Sequence, residues 1–152
     1  MKKNLKDLID TLKVLRAPGG CDWDRAQTHE SLIPYLLEET YEVIEAIEQN
    51  DFNLLKEELG DLLLHIIFQA ELASEENKFD IYDSISNITD KLVSRHPHIF
   101  SDNKNKSWSE GSWELAKQKE KKRDSILDGV PKALPSLTKA NRIQEKAAGV
   151  GF

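Results

Sequence analysis

The stretch LLEETYEVIEAIEQNDFNLLKEELGDLLLHI, residues 36–66, contains two helical patterns separated by a turn signal. Apolar residues recur every three or four positions on both sides of Asn50 and Asp51, which is the spacing of one face of an α-helix. Asn and Asp favour turns and helix caps. The stretch therefore predicts two helices joined by a short turn, so that they lie antiparallel and side by side.

Acidic residues are concentrated at one depth of this predicted hairpin. Residues three or four positions apart share a helix face, and folding the chain about Asn50 brings position 42 near position 58 and position 38 near position 61. Gly60 is expected to let the two backbones approach at this depth. The acidic residues that the hairpin brings together are Glu38, Glu39, Glu42, Glu58 and Asp61.

Carboxylates held close together repel, so they must take up protons, pair with basic side chains or bind a cation. The facing positions are themselves acidic, which favours a hard divalent cation. Magnesium binds carboxylate oxygens and is commonly completed by substrate phosphates, so the pattern indicates metal-dependent phosphoanhydride chemistry. Two alternatives are a solvated acidic surface and a ferritin-like di-iron site. The di-iron site needs Glu-x-x-His, and Leu62 stands three residues before His65.

The rest of the chain also shows helical periodicity and no clear strand. The residues APGGCDWD, 17–24, are expected to form a loop after the first helix. The apolar stripe formed by Ile33, Leu37, Tyr41, Ile44 and Ile47, and the later one formed by Ile81, Ile85, Ile88, Leu92 and Val93, are expected to face the core. Helices are predicted over residues 3–15, from a Thr28 cap to about residue 48, over residues 52–73, from an Asp80 cap to Pro97, and over residues 113–123 and 138–148.

These patterns predict an all-α fold. Residues 1–100 are expected to form a four-helix-bundle-like core that carries the metal site. Residues 101–152 are expected to form a short helical C-terminal extension.

Length and composition limit the class of protein. The chain has 152 residues, of which 39% are hydrophobic and 32% charged, and this suits one compact domain. Its formal net charge of −6 gives no overall attraction to nucleic acid or an anionic membrane. The only cysteine, Cys21, has no intrachain disulfide partner, and the apolar run LLLHIIF at 62–68 is too short to span a bilayer. A cytoplasmic protein that binds neither nucleic acid nor membrane is expected.

Two pairs of residues further along the chain are candidates for substrate binding. Lys91 and Arg95 lie one helical turn apart and suit phosphate contacts, although a solvated basic helix face has the same spacing. Trp113 and Lys117 repeat that spacing and combine a stacking surface with a cation. A Trp113 that only docks the last segment on the core is the alternative.

Three runs resemble the MazG family of nucleoside triphosphate pyrophosphohydrolases, and the similarity extends through KANRIQEKAAGVGF at the end of the chain. The resemblance implies an all-α MazG fold and assembly as a homodimer or higher homo-oligomer. It also implies hydrolysis of nucleoside triphosphates to the monophosphate and pyrophosphate with Mg²⁺, for which Mn²⁺ is a substitute. The three runs are GGCDWDRAQTHESLIPYLLEETYEVIEAI (19–47), LKEELGDLLLHIIFQA (55–70) and DKLVSRHPHIF (90–100).

The resemblance also assigns roles to residues. The family's metal motif, E-E-x-x-E followed by E-x-x-D, maps onto the five acidic residues of the hairpin, and Glu39 and Glu42 are expected to be catalytic by orienting or deprotonating water. Family elements K-x-x-x-R and W-x-x-x-K map onto the four substrate-binding candidates, Lys91, Arg95, Trp113 and Lys117.

One position departs from the family pattern. Active MazG domains can carry a lysine three residues before the first glutamate of the motif, and this chain has Tyr35 there. The chain resembles the amino-terminal domain of the two-domain members, which implies that the extension over residues 101–152 leads toward a second domain that this chain lacks. In some such proteins the amino-terminal domain has little activity. A second hypothesis follows, in which the chain is a regulatory or dimerisation module that binds nucleotide or a partner protein without turnover.

Overall fold

The structure is a computed structural model of the chain, and it describes residues 2–100, 117–118, 120–125 and 127–149. All regular secondary structure in these ranges is helical, which confirms the all-α prediction. The predicted helix over 113–123 falls largely outside the described residues. The helices are α1 (Leu5–Arg16), α2 (Asp22–Ala26), α3 (Ile33–Gln49), α4 (Phe52–Glu75), α5 (Ile81–Arg95), α6 (Pro97–Phe100) and α7 (Ser136–Ala148).

The chain divides into two compact units, Met1–Ser86 and Asn87–Phe152, with the boundary inside α5. The predicted division at residue 100 stays a prediction. The first unit is built around α4, which packs against both α3 and α1. Fully burying an aliphatic or aromatic side chain contributes about 1.5–3 kcal/mol. The core of this unit consists of Ile9, Leu12, Leu32, Ile67, Phe68, Ala70, Leu72 and Ile81.

Arg16 connects the end of α1 to α2 and α4. Its Nε and Nη2 atoms donate hydrogen bonds to the two carboxylate oxygens of Glu75 at 2.7 and 2.6 Å. Its Nη1 atom donates to the carbonyl oxygen of Asp24, and its guanidinium carbon lies 5.2 Å from the centre of the Phe68 ring. Because two parallel hydrogen bonds fix the geometry of an Arg–carboxylate pair, Arg16 holds the three helices in register.

The turn between α3 and α4 forms as the sequence predicts. Asn50 adopts a left-handed backbone conformation with φ of 55°, which Asn tolerates better than most residues. The Asp51 side chain then accepts hydrogen bonds from the amides of Asn53 and Leu54 at 2.9 and 3.1 Å, and so caps α4. The short turn makes α3 and α4 an antiparallel hairpin.

Two local predictions before α3 are wrong. Thr28 does not cap α3, which begins at Ile33; instead Thr28 and Ser31 each accept a hydrogen bond from the other's amide, at 3.2 and 2.9 Å, in the turn that precedes the helix. The predicted loop over 17–24 overlaps the short helix α2. Its first turn contains Asp22 and Asp24, and acidic side chains stabilise a helix start.

The apolar stripe of α3 is exposed, contrary to the prediction. Its five residues, Ile33, Leu37, Tyr41, Ile44 and Ile47, have exposed fractions between 42% and 58%. The later stripe behaves the same way: Ile81 is buried, whereas Ile85, Ile88, Leu92 and Val93 are exposed.

A different face of α3 is the less exposed one. It carries Leu36, Glu39, Val43 and Ala46, of which Ala46 is fully buried. This face of α3 packs against α4. The hairpin therefore leaves the most apolar face of α3 open.

Gly60 does not bring the two backbones together. A Cβ atom built on Gly60 would meet no described atom within 4 Å, and the residue is exposed. The expectation of a close backbone approach at Gly60 is therefore wrong. Gly20 is the position where such an approach occurs, because a Cβ there would lie 2.2 Å from the carbonyl oxygen of Leu15.

Replacing Gly60 by alanine is expected to raise the free energy of unfolding by about 0.5–1 kcal/mol, because glycine inside a helix costs that much backbone entropy. Urea unfolding followed by far-ultraviolet circular dichroism measures this change. Gly20→Ala is the matched control and should destabilise the protein, since its new methyl group meets backbone atoms. A Gly60→Ala variant less stable than the parent would contradict the open environment of Gly60.

Candidate functional site

Three acidic side chains converge between α3 and α4. One carboxylate oxygen from each of Glu39, Glu58 and Asp61 lies within 4.8 Å of the other two. Glu39 comes from the half-buried face of α3, whereas Glu58 and Asp61 lie one turn apart on α4. Glu58 is buried, with an exposed fraction of 9%. The hairpin therefore brings acids from both helices to one place, as the sequence predicts.

The electrostatics of this cluster penalise ionisation. Burial is the main cause that raises the pKa of Glu39 to about 7, and the negative charges of Glu42, Asp61 and Glu58 add to it. Burial also raises the pKa of Glu58, with further contributions from Glu42 and Asp61. Glu42 is therefore close enough to act on both. No lysine or arginine among the described residues is a cause of either shift.

A divalent cation fits this donor set. The donors are carboxylate oxygens from three side chains, which is the chemistry that Mg²⁺ and Mn²⁺ prefer. Among the residues that the structure describes, Glu39, Glu58 and Asp61 form no ion pair with a lysine or arginine. A bound cation would supply the missing positive charge and favour the ionised form of each carboxylate.

The other two acidic candidates differ in their surroundings. Glu42 is half-buried and lies beside the group of three, as its effect on the pKa of Glu39 and Glu58 requires. Glu38 is exposed and does not belong to the group of three. The metal-binding roles of Glu38 and Glu42 stay predictions.

An aromatic column adjoins the acidic cluster, and sequence reasoning missed it. The Tyr35 and His65 rings are nearly parallel, with centroids 6.3 Å apart, and Trp23 meets Tyr35 edge-on at 5.8 Å. His65 follows Asp61 by one turn of α4 and is buried, and its Nδ1 atom has no hydrogen-bond partner among the described residues. Burial lowers the pKa of His65, while Asp61 opposes that shift. The three rings come from separate segments, so no sequence spacing links them.

The second unit contains a basic pocket of about 420 Å³. Lys91 and Arg95 of α5 line it together with Lys117, so the structure brings three of the four substrate-binding candidates to one place. Trp113 lies outside the described residues. Sequence reasoning missed four further cations that line the same pocket, namely Lys121, Arg123, Arg142 and Lys146.

Comparison with known proteins identifies the domain that holds the acidic cluster. The model of the MazG nucleotide pyrophosphohydrolase domain matches residues 27–100. The chain is 46% identical over 147 residues to the nucleoside triphosphate pyrophosphohydrolase/pyrophosphatase MazG of Thermotoga maritima, covering 97% of this chain and 58% of that protein. Residues 27–100 of the chain belong to the MazG family.

Further MazG relatives show the same partial coverage. The nucleoside triphosphate pyrophosphohydrolase of Escherichia coli is 46% identical over 151 residues, which cover 95% of this chain and 57% of that protein. The protein of the same name from Mycobacterium tuberculosis is 36% identical over 153 residues, which cover 99% of this chain and 46% of that protein. The chain thus spans about half the length of these MazG relatives.

The matched MazG domain contains the acidic cluster and the Lys91–Arg95 pair, whereas Lys117, Arg142 and Lys146 lie beyond residue 100. None of the described helices has both the length and the apolar character that crossing a membrane requires.

The raised pKa of Glu39 predicts how the stability of the metal-free MazG domain depends on pH. A folded-state pKa of about 7, above the ordinary value of 4.5, gives a stabilising contribution that is complete below pH 4.5 and is lost as the pH rises through about 7. Thermal unfolding in a chelator should show the midpoint falling over this range. The fall should be smaller in Glu39→Gln and unchanged in Glu45→Gln, a substitution at an exposed position of the same helix.

Added Mg²⁺ should raise the unfolding midpoint more at mildly alkaline pH than at mildly acidic pH, because it binds the ionised carboxylates. A Glu39→Gln protein with the full parental pH dependence would contradict the role of Glu39 in this cluster.

Proposed function

We propose that this chain is a metal-dependent nucleoside triphosphate pyrophosphohydrolase, which converts a nucleoside triphosphate and water into the monophosphate and pyrophosphate. The observation that carries the proposal is the convergence of Glu39, Glu58 and Asp61 within a MazG domain. The names of the relatives from Thermotoga maritima and Escherichia coli support the same reaction.

The proposed ion is Mg²⁺, with Mn²⁺ as a substitute, held by Glu39, Glu58 and Asp61. Glu38 and Glu42 are the remaining donors of the predicted motif. A cation of this kind neutralises the carboxylates, polarises phosphate oxygens and lowers the pKa of water. The nearness of the carboxylates to one another supports this assignment, because an ion relieves their repulsion.

Glu39 and Glu42 are the proposed catalytic residues. In the reaction, a water oxygen bonds to the α-phosphorus, the bond from that phosphorus to the bridging oxygen breaks, and pyrophosphate leaves. One proton of the water must be accepted. Glu39 and Glu42 suit this task, or the orientation of the water, because Glu39 belongs to the group of three carboxylates and Glu42 lies beside it.

The basic residues are proposed to contact the phosphates. Pyrophosphate concentrates negative charge, and Lys91, Arg95 and Lys117 offer cations that line one pocket. Trp113 is proposed as a stacking surface for the base. The substrates are therefore nucleoside triphosphates as a class.

A second candidate function is nucleotide binding without turnover, as a regulatory or dimerisation module. The observation that favours it is Tyr35, which stacks on His65 at a position where active family members can have a lysine. In this case the chain would bind nucleotide in the presence of metal and release no product.

A homodimer is proposed, through the open apolar faces of α3 and α4. The stripe of α3 is joined on α4 by exposed apolar side chains, and exposed apolar surface of this extent is typical of a protein–protein interface. The residues of α4 with such exposure are Phe52 (78%), Leu59 (50%), Leu63 (38%) and Ile66 (49%).

The activity prediction concerns Glu58, whose carboxylate is buried within the cluster. With Mg²⁺, the parent should release monophosphate and pyrophosphate from a panel of canonical and modified triphosphates. Glu58→Gln, which keeps the size of the side chain, should lower kcat/KM at least about 100-fold, because loss even of a group supporting a ligand typically costs 10–100-fold. Glu45→Gln, which removes an exposed charge from α3, is the control and should retain activity.

No turnover by the parent at high enzyme concentration, with Mg²⁺ and with Mn²⁺, would overturn the enzymatic proposal. Calorimetry that then showed metal-dependent nucleotide binding would favour the second candidate function.

The dimer prediction concerns Leu37, which is 56% exposed in the single chain. Multi-angle light scattering at micromolar concentration should give the mass of a dimer for the parent and a shift toward monomer for Leu37→Glu, since a charge in an apolar interface is costly. Leu137→Glu is the control, because Leu137 on α7 is 87% exposed and lies outside the α3–α4 surface. A monomeric parent would exclude the proposed dimer.

A further inference from the structure

The pocket of the second unit is far more basic than the composition of the chain indicates. Among the described residues that line it, seven of eleven are lysine or arginine and none is acidic. The formal net charge of the whole chain is −6. Its volume of about 420 Å³ is within the range of small-molecule sites, about 300–1,000 Å³. The pocket therefore combines a concave shape with a local concentration of positive charge.

The last helix contributes two of these cations. Arg142 and Lys146 lie four residues apart on α7, so both project from one face of the helix toward the pocket that they line. Their arrangement repeats that of Lys91 and Arg95 on α5. The pocket is thus bounded by two helices that each present a lysine and an arginine one turn apart.

Lys146 is unusual because it is a lysine with only 5% of its surface exposed. A buried ammonium group is normally held in place by hydrogen-bonding or anionic groups around it. Arg142 is partly exposed and donates a hydrogen bond to Glu145 at 2.9 Å. Lys146 therefore has a fixed place in the wall of the pocket, where it can contact an anion inside it.

The turn at Gly129 lies against a further cation of the pocket. Gly129 has φ of +86°, a conformation that favours glycine, and a Cβ on it would lie 2.2 Å from the guanidinium carbon of Arg123. The guanidinium of Arg123 therefore lies directly against the glycine. The backbone amide of Arg123 also donates a hydrogen bond to the carbonyl oxygen of Gln118 at 3.0 Å, and this bond holds the backbone of Arg123 in place.

One carboxylate of the chain is bound by a cation that lines the pocket. The Nε and Nη2 atoms of Arg95 donate to one carboxylate oxygen of Glu120 at 3.0 and 2.6 Å. This hydrogen bonding is the main cause that lowers the pKa of Glu120, and the charges of Lys91 and Lys121 add to it. Arg95 thus binds a carboxylate with the same two donors that it could offer to a phosphate oxygen.

We propose that the pocket of the second unit binds linked phosphate groups, and that Arg142 and Lys146 of α7 are two of its binding residues. The choice of phosphate rests on the proposed function. Arginine and lysine contact phosphate oxygens strongly, and a diphosphate or triphosphate group carries several charges within a length that suits opposing pairs of cations. The last helix therefore belongs to the binding site, although it lies outside the matched MazG domain.

The proposal is tested by titrating the full chain with inorganic pyrophosphate, tripolyphosphate and an α,β-methylene nucleoside triphosphate in a calorimeter, with a chelator present. Arg142→Gln and Lys146→Met should each weaken phosphate binding about tenfold, the usual loss for a charge-assisted hydrogen bond. Lys132→Gln is the matched control, because it removes an exposed lysine of the same unit that does not line the pocket, and it should change affinity less than about twofold.

Glu120→Gln is expected to increase phosphate affinity, which a misfolded variant would not do. It removes the carboxylate that occupies Arg95, so it should tighten binding of the same ligands. The ligand series distinguishes the source of the phosphates. Equal affinity for pyrophosphate and the nucleotide analogue identifies the released product as a ligand, whereas binding of the analogue alone identifies the triphosphate of the substrate.

The inference is overturned if Arg142→Gln and Lys146→Met fold normally, as judged by circular dichroism, and bind all three ligands as the parent does. A Glu120→Gln protein with unchanged or weaker binding would also count against it. The outcome is separable from that of the proposed function. If the parent shows no turnover and the α7 variants bind phosphate more weakly, the inference holds and the proposed activity fails. If the parent turns over substrate and the α7 variants bind phosphate as the parent does, the activity holds and the inference fails.

Discussion

The repulsion among carboxylates held between α3 and α4 is the constraint on which the rest of the first unit depends. Glu39 and the buried Glu58 face each other because α3 approaches α4 through Leu36, Glu39, Val43 and Ala46. This choice of face raises the pKa of both glutamates, since burial and neighbouring charges disfavour ionisation. A cation removes that penalty, so the strain of the metal-free cluster and its affinity for metal have the same origin.

The same packing explains why so much apolar surface is left open. A helix has only one face to place against its neighbour, and α3 places the face that carries acidic and small residues there. The stripe that includes Leu37 and Ile44 then remains exposed, at 56% and 42%. The acidic cluster and the proposed dimer surface are therefore two consequences of one helix orientation.

Much of the fold and part of the site follow from the sequence. The hairpin turn at Asn50 and Asp51 and the acids that it brings together depend on local spacing, which a sequence displays directly. Helical periodicity shows that an apolar stripe exists and does not show what covers it, which is why the stripe of α3 is exposed against expectation. The prediction that the backbones of α3 and α4 approach at Gly60 is wrong for a related reason, since a glycine permits a close approach without causing one. The sequence does not show that Arg142 and Lys146 line the same pocket as Lys91 and Arg95, because that proximity depends on tertiary structure.

The central claim is that Glu39, Glu58 and Asp61 hold a divalent cation. It is tested most directly by anomalous diffraction from crystals of the protein grown with Mn²⁺, which scatters anomalously and substitutes for Mg²⁺. The account predicts an anomalous peak with oxygens of all three carboxylates at coordination distance, about 2 Å. A well-ordered structure with no peak there, or with the three carboxylates turned away from a metal bound elsewhere, would contradict it.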